Sequence, residues 1–179
     1  PDGTIPDEAK ALLLGMGEWL KINGEAIYGT VPWIVAGEGP TKLGKSGEFN
    51  EKNDLHYTAQ DIRFTVKDNN IYATILNWPT ESVLIKTLGS IGYNQALYPQ
   101  EIASITMLGD NKELKWELKK EGLKIEPPKT KPCDNAYVFK IVRRQPFWSD
   151  WKRLSKNWLL KKMKLILWKQ SSVLAYASA

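Results

Sequence analysis

One cysteine and one histidine in 179 residues are the sharpest shortages in this sequence. With Cys133 alone there is no partner for an intrachain disulfide and no cysteine-built metal cluster. With His56 alone, most zinc sites and most nucleophile–histidine pairs fall away, because both draw on imidazole. Long apolar runs are missing as well, and none approaches the ~18–20 residues that crossing a bilayer requires. No secretory leader is legible, and a chain whose first residue is Pro1 leaves its compartment open on that ground. Acidic charge is scarce only at one end. From Arg143 onward there are nine Lys/Arg and one acid, Asp150, which leaves residues 1–142 with 16 basic against 19 acidic side chains. The basic balance belongs to the last 37 residues, not to the body of the chain.

What is present is a rhythm. Ile62, Phe64 and Val66 alternate with Arg63, Thr65 and Lys67, then Asp68-Asn69-Asn70 interrupts, and Ile71, Ala73 and Ile75 resume. A period of two places alternate side chains on opposite faces of a pleated strand. The pattern recurs at Val83-Ile85-Thr87, Ile105-Met107, Leu114-Trp116-Leu118, Leu123-Ile125 and Tyr137-Phe139-Ile141. Seven short segments with no helical pattern between them predict a mainly β fold, an antiparallel β-sandwich of Greek-key type, over residues 57–142.

Ahead of this block, Ala9, Leu12, Leu13, Met16, Trp19 and Leu20 recur at helical spacing. With Thr4 as cap and Asn23-Gly24 as stop, the spacing predicts one amphipathic helix from about residue 5 to 22. Its apolar stripe calls for a larger partner surface than a sandwich alone supplies. Residues 24–56 read as a connector, irregular through the glycine- and proline-rich 24–44, with Tyr28 and Trp33 as packing anchors.

At this point a resemblance becomes specific. Pro1-Asp2-Gly3-Thr4-Ile5-Pro6, the run Gly17-Glu18-Trp19-Leu20-Lys21-Ile22-Asn23-Gly24-Glu25-Ala26-Ile27-Tyr28-Gly29-Thr30 and Gly37-Glu38-Gly39-Pro40 resemble the C-terminal third of bacterial α-L-fucosidases, retaining enzymes of glycoside hydrolase family 29. Ile71-Tyr72-Ala73, Asn77-Trp78-Pro79, Leu114-Lys115-Trp116, Gly122-Leu123-Lys124-Ile125 and Ala136-Tyr137-Val138-Phe139-Lys140-Ile141 continue the likeness to about residue 142. One departure is Val31, where the resemblance leads us to expect arginine before Pro32-Trp33. The resemblance implies a catalytic (β/α) barrel ahead of a C-terminal sandwich. Residues 1–23 would then be the remnant of the barrel's last helix, and the barrel would be both partner and sole route to a fucosylated glycan. It implies no metal and no organic cofactor, and it favours a periplasmic or extracellular setting.

Retaining glycoside hydrolysis needs two carboxyl groups about 5–5.5 Å apart. In the resembled enzymes an aspartate and, commonly, a glutamate fill those roles upstream of anything matched here. The acids that remain have other readings. Asp2, Asp7 and Glu8 sit where acids complement a helix N-terminus. Glu25 and Glu38 flank the connector and could face a barrel, but neither has a second acid placed with it. Glu101, Glu113, Glu117 and Glu121 read as a solvated sheet face, and His56 as a hydrogen-bonded structural residue. We therefore expect no catalytic, cofactor-binding or metal-binding residues within the chain. A free-standing carbohydrate-binding sandwich is the alternative, with Tyr57, Tyr72, Trp78, Tyr93, Tyr98 and Trp116 as aromatic candidates. Trp78 and Trp116 sit in strand patterns and read as core.

After Val142 the likeness stops. Trp148, Trp151, Trp158 and Trp168 lie among seven lysines and arginines from Lys152 to Lys169, and the spacing suggests a helix over about 148–169. Such a tail reads either as sequence of unrelated origin or as a surface for anionic membranes or nucleic acid; binding of either is expected nowhere else.

Overall fold

The computed structural model describes residues 3–41, 56–89 and 101–144, which fall within one compact unit, Pro1–Arg144. The helix expected over 148–169 and the aromatics Tyr93 and Tyr98 lie outside the described residues.

Helix α1 spans Asp7–Asn23. Its N-cap is Pro6, held extended at φ −54° and ψ 144°, rather than the expected Thr4. Asp7 and Glu8 occupy the first turn and Lys21 the last, each complementing the local end of the helix dipole. The stop also differs from expectation. Gly24 is right-handed, at φ −58° and ψ −24°, and the chain runs on through a 3-10 turn, Gly24–Ala26. The left-handed step comes later, at Gly29 with φ 69°.

Among the described residues nine strands follow: β1 Val31–Glu38, β2 Ile62–Lys67, β3 Asn70–Ile75, β4 Val83–Ile85, β5 Ile102–Met107, β6 Asp110–Glu113, β7 Trp116–Leu118, β8 Leu123–Ile125 and β9 Tyr137–Arg143. They form two antiparallel sheets, β1-β2-β3-β9-β5-β6 and β4-β8-β7, so the mainly β sandwich is as expected. The last strand, β9, enters between β3 and β5 and closes the larger sheet, pairing Ile71 with Ile141 and Ile105 with Ile141 from its two sides.

Two strands were not anticipated. In β6, Asp110-Asn111-Lys112-Glu113 carries no apolar beat, and it pairs because the turn at Gly109 folds it back on β5. In β1, the expected irregular connector is instead an edge strand against β2. Its register advances five residues, from Pro32 to Gly37, while β2 moves two, from Thr65 to Arg63. Proline cannot donate to the ladder, and a bulge on an edge breaks the period that betrays a strand. Two expected strands are shorter than their patterns. The segment at Val83 ends at Ile85 and turns into a 3-10 turn, Lys86–Leu88, and Leu114 precedes β7 rather than joining it.

The core lies between the sheets. Ile62, Phe64, Ile71, Ala73, Ile75, Phe139 and Ile141 from the larger sheet meet Val83, Ile85, Leu123 and Ile125 from the smaller one, all buried. Each such side chain contributes roughly 1.5–3 kcal/mol of burial. Alternation fails at one instructive place. Ile71, Tyr72 and Ala73 are buried in succession, as are Tyr137, Val138 and Phe139. Tyr72 and Val138 point to the outer face, where Ala26, Leu108 and Trp19 cover them. The end of α1 therefore gives the larger sheet a second, smaller core.

Candidate functional site

The acids that could do chemistry are already held by the fold. Glu25, just beyond α1, accepts hydrogen bonds at Oε1 from Lys140 Nζ, 2.5 Å, and from the Tyr72 hydroxyl, 2.8 Å. The Lys140 bond holds its carboxyl below the usual range, with Tyr72 and the charges of Lys140 and Lys67 adding to it and burial opposing. Tyr72 answers in the opposite direction. Burial first, then the neighbouring carboxylate, push its phenol up to about 12, so it remains a donor to Glu25 at any physiological pH.

Glu38, at the end of β1, spans the two sheets. Its Oε1 accepts from Lys86 N–H at 2.8 Å and its Oε2 from Thr87 N–H at 2.6 Å, with the Thr87 hydroxyl also on Oε2. It thus caps the 3-10 turn that follows β4. Asp61 is fully buried and takes four hydrogen bonds: Thr41 N–H on Oδ1 at 3.0 Å, and Thr41 Oγ1, Thr58 N–H and Thr58 Oγ1 on Oδ2 at 2.8, 2.8 and 2.9 Å. Burial raises its pKa, but the donors of Thr58 and Thr41 together outweigh it, and the net shift is downward. Gly39, at φ 143°, passes so close that an added Cβ would lie 2.3 Å from Asp61 Oδ1. Sequence reasoning passed over Asp61. The spacing Thr58-x-x-Asp61 was its one signal, because an acid three residues after a threonine reaches back to that residue's N–H.

The remaining candidates take structural places. Asp7 and Glu8 are exposed in the first turn of α1. Glu101 departs from the solvated face foreseen for it: it is half-buried and bonded to Arg143 Nη1 at 3.0 Å. Glu113, Glu117 and Glu121 are exposed. His56 is exposed, and its carbonyl accepts a hydrogen bond from Thr41 Oγ1 at 3.5 Å. Among the described residues no group of three or more His, Cys, Asp or Glu is arranged to hold a metal ion.

A cleft of about 430 Å³ opens between the ends of β1 and β4, walled by Glu38, Pro40, Gln60, Ser82, Leu84 and Lys86. It is large enough for a sugar ring, but among the described residues that line it the one carboxylate is the Glu38 group spent on the 3-10 turn, and none is aromatic. The aromatics are engaged elsewhere. Trp33 packs on the main core with the Arg143 guanidinium 5.2 Å above its ring. Trp78 packs there too, edge-on to Tyr137 at 4.8 Å, and Trp116 likewise borders the core. Tyr72 is buried under the end of α1.

The most distinctive surface is apolar and confined to residues 5–34. The large exposed hydrophobics among the described residues are Ile5, Leu12, Leu13, Leu14, Met16, Ile27, Tyr28, Val31 and Ile34. None belongs to the sandwich strands after β1. Trp19, on the same helix, is half-buried against Tyr72 and Val138, donating from Nε1 to the Ala136 carbonyl at 2.7 Å.

Comparison with known proteins adds a family to this geometry. Residues 53–142 match the model described as the alpha-L-fucosidase C-terminal domain. The chain is 33% identical over 147 residues to the tissue alpha-L-fucosidase of Rattus norvegicus, covering 79% of this chain and 26% of that protein. It is 29% identical over 145 residues to the alpha-L-fucosidase of Branchiostoma floridae, again covering 26% of it. The crystal structure of Thermotoga maritima alpha-fucosidase in complex with fucose superimposes with a TM-score of 0.56 at 30% identity, over 79% of this chain and 28% of that one. The chain thus spans about a quarter of the length of the curated relatives it matches. Animal and bacterial proteins match alike, so the likeness is not confined to bacterial enzymes as first expected.

Proposed function

This chain belongs to the α-L-fucosidase C-terminal domain family, and on that premise we propose that it is the accessory sandwich of a retaining glycosidase that releases terminal α-L-fucose from glycans. The observation that carries the reading is the family match over residues 53–142. The engagement of Glu25, Glu38 and Asp61 supports its non-catalytic half. Two carboxyls must face one anomeric carbon, one as nucleophile and one as proton donor, each free to form and break bonds to substrate. Here each acid is already a hydrogen-bond acceptor for the scaffold: Glu25 for Lys140 and Tyr72, Glu38 for Lys86 and Thr87, and Asp61 for Thr41 and Thr58. The catalytic pair is supplied by the polypeptide that precedes the matched region in the longer relatives, and this chain braces it. No catalytic, cofactor or metal residue is assigned within the chain.

The experiment is a titration of intrinsic tryptophan fluorescence with L-fucose and with an aryl α-L-fucoside. The accessory reading predicts no saturable change up to millimolar ligand. A saturable change abolished by Lys86→Ala and Gln60→Ala in the cleft would replace it with a sugar-binding module.

A further inference from the structure

The end of helix α1 meets the turn that leads into β9. Cys133 and Ala136 stand on that turn, and Asn135 shapes it at φ 72°. The Ala136 carbonyl accepts from Trp19 Nε1 at 2.7 Å and from the Cys133 thiol at 3.5 Å. Asn23, the last residue of the helix, is fully buried, and its Nδ2 donates to the Trp19 carbonyl at 3.3 Å and to Cys133 Sγ at 3.4 Å. The Trp19 carbonyl fixes which way this carboxamide faces, because only its nitrogen side can donate. The oxygen side is thereby left over. Among the described residues, Asn23 Oδ1 is one of two buried side-chain nitrogen or oxygen atoms without a hydrogen-bond partner. A buried acceptor with no donor is a standing cost to the fold. The sulfur beside it packs on the main core, yet Cys133 is only half-buried, so a small solute can reach it from solvent.

We propose that Cys133 is a site of reversible oxidation by hydrogen peroxide, and that Asn23 Oδ1 receives the sulfenic acid formed there. The thiolate sulfur attacks one oxygen of the peroxide. An S–O bond forms and the O–O bond breaks. The second oxygen leaves as hydroxide and takes up the proton shed by the thiol, giving water. Sulfur loses two electrons and the peroxide gains them. A weak S–H donor is thus exchanged for an O–H donor on the sulfur that already contacts the Asn23 carboxamide. The donor arrives beside the acceptor that lacks one. Nothing is orphaned in return, since the Ala136 carbonyl keeps its bond from Trp19. The chain has no second cysteine, so the sulfenic acid has no thiol of its own chain to condense with. An external thiol caps it as a mixed disulfide with loss of water, and a second thiol returns Cys133 to its reduced state.

The test treats the full chain with equimolar hydrogen peroxide, folded and, separately, unfolded in urea, and follows sulfenic acid by capture with a 1,3-dione. The folded chain is expected to carry one dione adduct, at Cys133, which prior treatment with dithiothreitol prevents. Its sulfenic acid should outlive that of the unfolded chain at least about fivefold, the factor that one hydrogen bond of ordinary strength supplies. Oxidation of the exposed Met16 gives a sulfoxide, which the dione does not capture. Asn23→Leu, close in shape and without polar atoms, is expected to bring the lifetime down to the unfolded value. The wild-type comparison decides even where Asn23→Leu fails to fold. Equal lifetimes in the folded and unfolded wild type overturn the proposal. So does a folded chain that passes chiefly to sulfinic acid or to disulfide-linked dimers, and so does an Asn23→Leu variant that folds and keeps the wild-type lifetime. None of these results touches the accessory reading.

Discussion

At the scale of single residues, the acids of this chain are structural ties, and Asp61 is the clearest. It joins Thr41 to Thr58 across a separation of seventeen residues, entirely out of solvent. Its carboxyl is held below the usual value, so the stabilisation it provides is complete above the unfolded-state pKa and is lost as pH falls through the lower folded-state pKa. Asp61→Asn is expected to cost about 2–3 kcal/mol at neutral pH, since an amide turns a donor toward groups that are themselves donors. Urea melts compared from pH 7 downward would show the wild-type advantage shrinking below about pH 4; an advantage independent of pH would contradict this assignment. Glu25 is also held low, but it stands half in solvent, and Glu25→Gln is expected to change stability by less than about 1 kcal/mol at pH 7. A larger loss by the same measurement would mean that the Lys140–Glu25–Tyr72 group carries weight that solvent does not screen.

At the scale of elements, legibility followed the period. The inward beat of β2, β3, β5 and β9 was readable because one face of each strand is core, and those residues are buried as anticipated except Val66, which is partly buried. Elements whose neighbours override their pattern were not. Pro32 and the bulge that follows hid β1, and the polar run of β6 hid a strand that exists because a turn returns it to β5. The burial of Tyr72 was likewise invisible locally, since it depends on Trp19, fifty-three residues away in the sequence. Of the site, the groups that occupy the carboxylates of Glu25 and Glu38 were not readable, because all of them come from distant strands and turns. The β5–β6 turn offers a test at this scale. Gly109 sits at φ 86°, and an added Cβ would meet both Ile22 and Pro132 at 2.8 Å. Gly109→Ala is expected to destabilise by about 1–3 kcal/mol in a denaturant titration and to loosen the end of α1. A neutral substitution would show that the helix end is not seated against this turn.

At the scale of the whole molecule, the two faces of the described unit divide the work. The sandwich strands after β1 bury a main core between the sheets and, among the described residues, expose no large hydrophobic side chain, while residues 5–34 expose nine. A domain complete in its core and incomplete at one surface is what a support for a larger body requires, and the chain's quarter-length match to its relatives agrees with that role. The central claim is that the support carries no glycosidic chemistry of its own. It is tested most directly by incubating the purified 179-residue chain with an aryl α-L-fucoside and following release of the chromophore. The account predicts a rate indistinguishable from a heat-killed control, and turnover above that control, retained after repurification, would contradict it.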